Sequence, residues 1–176
     1  NPATLTYTAT AAARTYGASD PVFSGTVTGF VNSETQGTAT TGTLAFTTTA
    51  VATTGVGSAA LNGSGLTAAN YTFTQAAGNA SALTINPATL TYTANAASRT
   101  YGATEPAFSC TVTGFVNSET QGSATTGTLA FTTAAVATTG VGTAAIDGSG
   151  LSAANYTFTQ AAGNAMALTV NPATLT

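Results

Sequence analysis

The chain has 176 residues, nearly half of them Thr or Ala, and 4% are charged, against roughly 25% in ordinary soluble domains. Two arginines, no lysine and a net charge of −3 exclude the clustered cations that a nucleic-acid backbone or an anionic membrane surface requires. No apolar run reaches the roughly 20 residues of a membrane-spanning helix. We therefore expect no nucleic-acid partner and no membrane insertion.

An internal repeat organises the sequence. Shifting the chain by 85 positions aligns residues 1–85 with residues 86–170 without a gap and leaves 14 differences. A period of this length suits one small domain per copy rather than one turn of a solenoid. The sequence predicts two tandem domains, 1–85 and 86–170. Residues 171–176 repeat the opening NPATLT and are predicted to be the first strand of a third repeat.

Within each copy the apolar residues alternate with polar ones, which predicts strands. In chain order the first copy offers ATLTYTA, FSGTVTGFV, GTLAFTT, NYTFTQ and SALTIN, in which β-branched Thr occupies one face. The stretch VNSETQG is predicted to form a short helical turn capped by Ser33. Asn-Gly in LNGSG and Asp-Gly in IDGSG predict tight hairpin turns. Together these patterns predict six or seven short strands per copy, and therefore an all-β fold of small β-sandwich or β-grasp-like domains.

The boundary between the copies is short and contains proline. Only Asn86 and Pro87 separate the last strand of the first copy from the first strand of the second, and Asn171 and Pro172 repeat this pair. Proline fixes φ and biases the preceding residue toward an extended conformation. We therefore expect a stiff joint and domains stacked end to end as a rod.

The pattern NPATLTYTA…RTYG…FSGTVTGFVNSETQ…NYTFTQAAGNA resembles the MBG-type repeats of large bacterial surface adhesins, including filamentous-haemagglutinin-like secreted proteins. The most specific elements are the segments that begin at Tyr16-Gly17 and Tyr101-Gly102 and end at a proline. The resemblance covers both copies. It implies an extracellular or cell-surface location, tandem stalks or filaments, and roles in cell adhesion or biofilms. Some members of the family are linked to mucin binding.

The residue content offers little for catalysis. With no His and no Lys, the commonest general base and the amine nucleophile are missing, so we expect neither an enzyme nor a cofactor. The acids Asp20 and Glu105 are predicted to form exposed pairs with Arg14 and Arg99. SDP and NSET are weak candidates for calcium, which needs several oxygen ligands.

Two residue types leave alternatives open. Cys110 stands alone where the first copy has Gly25, so it is either a small buried thiol or an intermolecular bridge. A Thr–Gln ester cross-link through Gln75 or Gln160 is a further alternative.

These observations favour a structural stalk or filament repeat whose partners are neighbouring identical repeats. One alternative is a module that binds host or matrix glycans or mucin. A second is a subunit that self-associates by adding a donor strand to a neighbour's sheet. A third treats the T-x-T strands as an ice-binding face.

Overall fold

The computed structural model describes residues 1–175. The chain divides into two compact units, Asn1–Pro87 and a second that begins at Ala88, so each unit contains one sequence repeat. In the described residues the regular structure is almost entirely strand, with one short helix and one 3₁₀ turn in each unit. The all-β prediction is confirmed.

The first unit contains eight strands, one or two more than the sequence predicts: β1 (Ala3–Ala9), β2 (Ala12–Thr15), β3 (Gly25–Thr28), β4 (Thr41–Thr47), β5 (Gly57–Ala59), β6 (Asn62–Thr67), β7 (Tyr71–Gln75) and β8 (Leu83–Asn86). Helix α1 (Gln36–Ala39) precedes β4, and a 3₁₀ turn (Ala77–Ser81) joins β7 to β8.

The second unit repeats these elements: β9 (Ala88–Ala94), β10 (Ala97–Thr100), β11 (Cys110–Thr113), α2 (Gln121–Ala124), β12 (Thr126–Thr132), β13 (Gly142–Ala144), β14 (Asp147–Ser152), β15 (Tyr156–Gln160), a 3₁₀ turn (Ala162–Met166) and β16 (Leu168–Asn171).

Three small sheets build the first unit. Their strand orders are β3-β1-β7, β2-β8-β5 and β4-β6. Strand β1 lies antiparallel to β3 and parallel to β7, and strand β8 lies parallel to β2 and antiparallel to β5. The first and the last strand of the repeat are therefore each bonded on both sides. The second unit has the same three sheets.

The alternation of apolar and polar residues along the sequence correctly predicts which side chains form the core. Leu5 and Tyr7 are 0% and 4% exposed, whereas Thr4 and Thr8 on the same strand face solvent. The Tyr7 ring stacks on Phe73 at a centroid distance of 5.1 Å and meets the edge of Phe46 at 6.3 Å. The outward face of this sheet carries threonine, because Thr6 pairs with Thr28 on one side and with Thr74 on the other.

Two local predictions are wrong. The segment predicted to be a hairpin turn at Asn62-Gly63 is the start of strand β6. A Cβ on Gly63 would lie 2.5 Å from Tyr7 Cβ, so this glycine permits close packing rather than a turn. The N-cap of α1 is Thr35, whose N–H donates to Thr38 Oγ1 at 2.9 Å. Ser33 instead has a left-handed backbone with φ 57° in the loop before it.

The predicted first strand of a third repeat stays a prediction. Residues 172–175 have no regular secondary structure, and Thr176 lies outside the described residues. The matching strand in the first unit pairs with β3 and β7, which come later in the same repeat.

Candidate functional site: the paired ends of each repeat

The sequence singled out Tyr16-Gly17 and Tyr101-Gly102, and each pair lies in the turn that directly follows strand β2 or β10. Gly17 has φ 82° and Gly102 has φ 86°, the left-handed region that glycine enters without steric cost. The tyrosines differ, because Tyr16 is 4% exposed and Tyr101 is 45% exposed. Both backbones bond the last residue of the last strand of their own unit. Tyr16 N–H donates to Asn86 O and Tyr101 N–H donates to Asn171 O, each at 2.8 Å.

The predicted joint residues lie at strand ends. Asn86 is the last residue of β8 and Ala88 the first of β9, so Pro87 alone separates the two strands. Asn171 is likewise the last residue of β16, and Pro172 follows it outside any strand. All four residues are exposed. The structure thus brings Tyr16 together with Asn86, and Tyr101 with Asn171, at the end of each repeat where the last strand stops.

The first and last segments of each repeat run side by side in the same direction, and we call this pair the terminal zipper: residues 3–16 and 70–86, with 88–101 and 155–171 in the second unit. Its pairing begins at Ala3 opposite Tyr71, continues to Tyr7 opposite Gln75, and resumes at Ala12 opposite Leu83. Backbone bonds at the two junctions, Ala76 N–H to Tyr7 O and Ala12 N–H to Ala82 O, extend the ladder.

A buried asparagine fills the gap in the terminal zipper where the chain leaves β7 for the 3₁₀ turn. Asn79 is 2% exposed, and its Oδ1 accepts a hydrogen bond from Ala9 N–H at 2.8 Å. Its Nδ2 donates to Tyr7 O at 3.0 Å. A residue of a parallel strand makes the same pair of bonds to two residues on its neighbour that lie two positions apart. The Asn79 amide therefore substitutes for a missing strand residue.

A glutamine holds the Asn79 amide in place. Gln75 Oε1 accepts from Asn79 Nδ2 at 2.9 Å and from Gly63 N–H at 2.9 Å, while Gln75 Nε2 donates to Gly63 O at 2.7 Å. Strand β6 is thereby joined to the terminal zipper. Asn164, 1% exposed, and Gln160 repeat the arrangement in the second unit. These bonds occupy the glutamine amides that the sequence analysis considered for an ester cross-link.

Each arginine clamps two loops at the end of its repeat. Arg14 Nε lies 2.7 Å from Asp20 Oδ1, and Arg14 Nη2 donates to Val51 O at 2.6 Å. The predicted ion pairs are present, but they are not the exposed pairs that were expected, because only 2% of the Arg14 side chain is accessible. Arg99 makes the same contacts to Glu105 and to Val136 O. A buried guanidinium needs such partners to offset its desolvation.

A second acid closes the loop before helix α1. Tyr71 donates a hydrogen bond to Glu34 Oε2 and accepts one from Val31 N–H at 3.1 Å. The bond to Glu34 raises the pKa of the Tyr71 phenol. In the second unit Tyr156 and Glu119 make the corresponding bond. The Asp20 and Glu34 carboxylates, considered for calcium from the sequence, thus face an arginine and a tyrosine.

The remaining surface is made of small hydroxyl and methyl groups. A shallow cleft of about 400 Å³ recurs in both repeats. Its lining residues are Thr38–Thr41 and Thr67–Ala69 in the first unit, and Ser123–Thr126 and Ser152–Ala154 in the second. Among residues 1–175 no three His, Cys, Asp or Glu side chains gather in a group that could hold a metal ion. Cys110 is half-buried, and burial raises the pKa of its thiol.

Sequence reasoning missed the terminal zipper, Asn79 and the burial of the arginines. Period-two alternation marks a strand but not its partner, so parallel pairing of the first and last strands was not visible. Asn79 lies in the segment QAAGNAS, which has no strand alternation, so no local pattern marked it. Among the described residues no helix is long and apolar enough to span a bilayer.

Comparison with known proteins agrees with this architecture. The family model for the MBG domain (YGX type) matches residues 5–81 and again residues 90–166, and its description fits the Tyr-Gly pairs at the end of each zipper. No curated protein and no solved structure gave a significant match. The two matched segments span most of both repeats. The chain therefore belongs to the MBG domain (YGX type) family and carries two tandem copies of that domain.

Proposed function

We propose that each repeat is a spacer module in the stalk of a secreted bacterial surface adhesin. The observation that carries this proposal is the separation of chain entry from chain exit. The chain enters at Ala3, beside Tyr71, and leaves at Asn86, beside Thr15. The paired segments advance in the same direction, so each repeat adds up to about 40 Å between its ends, using about 3.3 Å per strand residue.

The character of the surface supports a spacer. Both arginine side chains are buried in ion pairs, and the exterior of the β3-β1-β7 sheet is threonine. Hydroxyl and methyl groups of this kind carry no charge that salt or pH could alter. A protease that cleaves after Arg meets only Arg14 and Arg99, each inside a strand. Such a surface suits a module whose task is to hold other domains away from a cell.

The titratable groups of the described residues support a structural role over an enzymatic one. The carboxylates of Asp20, Glu34 and Glu105 are engaged by an arginine or a tyrosine of their own repeat. The acids therefore tie loops together. Proposed partners are the neighbouring identical repeats, and the proposed location is the cell surface, as in the adhesins that the sequence resembles.

Solution scattering on chains of one, two and four repeats tests the spacer proposal. We expect the maximum dimension to rise by up to about 40 Å with each repeat, at every protein concentration. A two-repeat chain that lengthens as its concentration rises would instead indicate donor-strand assembly between molecules. A maximum dimension that stays nearly constant from two to four repeats would show that the repeats fold back on one another, and the spacer proposal would be wrong.

A further inference from the structure

We propose that the terminal zipper is a shear clamp that resists tension along the chain, and that Asn79, with Asn164 in the second repeat, is the residue that extends its bonding into the gap between the two strand pairs. This inference rests on the proposed function in one respect, because a spacer receives its load through its two chain ends. The clamp itself depends only on the pairing inside one repeat.

The direction of the pairing decides how a load acts. A pull applied through the chain draws Ala3 toward the N-terminus and Asn86 toward the C-terminus. Because the segments that carry these residues are parallel, the pull slides one along the other. Sliding strains every hydrogen bond between them at once. A pull that parted the segments from one end would break the same bonds one after another. The first arrangement resists a far larger force for the same total bonding.

The loaded strands are also held from their other sides. Strand β1 is bonded to β3 as well as to β7, and β8 to β5 as well as to β2. Leu5 on β1 and Ile85 on β8 are 0% and 1% exposed, so both strands are anchored in the core. Neither loaded strand is a sheet edge that could peel away. The entry and exit strands of each repeat are therefore the most fully bonded strands in it.

The weak point of the clamp is its middle, and Asn79 occupies it. Between Gln75 and Leu83 the second segment turns through a 3₁₀ helix, and Ala9 N–H has no strand carbonyl opposite it. Asn79 supplies the missing acceptor and adds a donor to Tyr7 O. With the amide in place the bonds between the two segments continue to Ala9 and resume at Ala12, so a short gap at residues 10 and 11 separates the two strand pairs. Without it the gap widens, and the clamp becomes two short halves that fail in turn.

The first experiment varies the direction of the pull on an otherwise native chain. Single-molecule force spectroscopy is performed with Cys110→Ser, so that cysteine handles can be placed elsewhere. Handles at the two chain ends load the zipper in shear. Handles at residue 2 and residue 69 part the two segments from one end, because Ala3 N–H bonds Asn70 O. We expect the shear pull to require a clearly larger unfolding force than the parting pull. Equal forces in the two directions would overturn the clamp.

The second experiment removes the side-chain amide of Asn79 from the first repeat and leaves the second repeat unchanged. Asn79→Ala leaves Ala9 N–H without its acceptor and removes one of the two donors to Tyr7 O, which keeps its bond from Ala76 N–H. We expect the unfolding rate of the first repeat under end-to-end load to rise about tenfold or more. The second repeat keeps Asn164 and serves as a reference within the same molecule. The wild-type chain should give two similar unfolding events, and the variant one weak and one unaltered event.

A matched control separates the clamp from general stability. Leu66→Ala removes a buried side chain from β6, outside the terminal zipper. We expect Leu66→Ala to lower the melting temperature of the first repeat at least as much as Asn79→Ala does. We expect it to lower the end-to-end unfolding force less than Asn79→Ala does. If both variants lower the force in proportion to their melting temperatures, Asn79 is an ordinary core residue and the proposal fails. If Asn79→Ala prevents folding of the first repeat, the comparison of the two pull directions in the first experiment decides whether the terminal zipper is a shear clamp.

The two proposals fail separately. A strong clamp in a chain whose scattering shows folded-back repeats would refute the spacer and retain the clamp. A chain that lengthens with each repeat but unfolds at the same force in both directions would retain the spacer and refute the clamp.

Discussion

Replacing Gly63 by alanine tests why the repeat has a glycine at the start of β6. A Cβ at this position would lie 2.5 Å from Tyr7 Cβ and 2.6 Å from Tyr7 Cγ. The nearest atom is fixed to the Tyr7 backbone, so rotation of the ring brings no relief. Strand β6 must move away from β1, and the bonds between Gly63 and Gln75 must stretch.

The cost follows from overpacking a core. Forcing one extra carbon into a packed site typically costs about 1–3 kcal/mol. For a domain of this size each kcal/mol lowers the melting temperature by roughly 4–8 °C, so we expect Gly63→Ala to melt about 5–20 °C below wild type. The effect is confined to the first repeat, and the second repeat should melt as before.

Calorimetry or circular dichroism of the two-repeat chain measures this shift, with Gly78→Ala as the control. A Cβ on Gly78 meets no atom within 4 Å, so that variant should be neutral or gain about 0.4–1 kcal/mol from the stiffer unfolded chain. If the first repeat melts at the same temperature in the Gly63→Ala and Gly78→Ala variants, the close approach to Tyr7 does not explain the glycine.

Three further predictions follow from the buried polar groups. Arg14→Met keeps the apolar stem but loses the ion pair with Asp20 and the bond to Val51 O, and we expect it to lower the free energy of unfolding of the first repeat by about 1.5–3 kcal/mol in urea denaturation. An unchanged urea midpoint would contradict the role of Arg14 in holding the two loops together. Because both arginines are buried, trypsin should cleave the native chain at Arg14 and Arg99 only as fast as the repeats unfold. Cleavage followed on a gel should therefore accelerate when urea is added. Rapid cleavage without urea would show that the arginines are accessible in the folded repeats. Because Glu34 raises the pKa of Tyr71, the bond stabilises the fold fully below pH about 10 and is lost as the pH rises through the folded pKa. The gap in urea midpoint between wild type and Tyr71→Phe should therefore narrow as the pH rises from about 7 to about 11, and a constant gap would count against the bond.

The prediction of strands succeeded where one face of a strand is buried. ATLTYTA places Leu5 and Tyr7 in the core as its alternation requires, and the strands at Tyr71 and Leu83 follow the same rule. Turn chemistry was a poorer guide. Asn-Gly favours a tight turn when nothing else contacts it, but the Tyr7 side chain against Gly63 holds this segment as a strand.

The candidate site was predicted at its edges and missed at its centre. Tyr16, Gly17 and Asn86 were singled out from local features, a Tyr-Gly pair and a proline joint, and the structure places Tyr16 next to Asn86. Asn79 has no local signature, because an asparagine between alanines and glycines is typical of a loop. Its role arises from Tyr7 and Ala9, about 70 residues earlier in the chain.

The sequence by itself determined the repeat, its period, the all-β class and the inward face of the main strands, because these depend on composition and on residues a few positions apart. Only the tertiary structure decided which strands are neighbours, that the first and last run parallel, and that the two arginines are buried. Strand partners are chosen by packing between segments far apart in the chain, and alternation is the same whichever partner a strand takes.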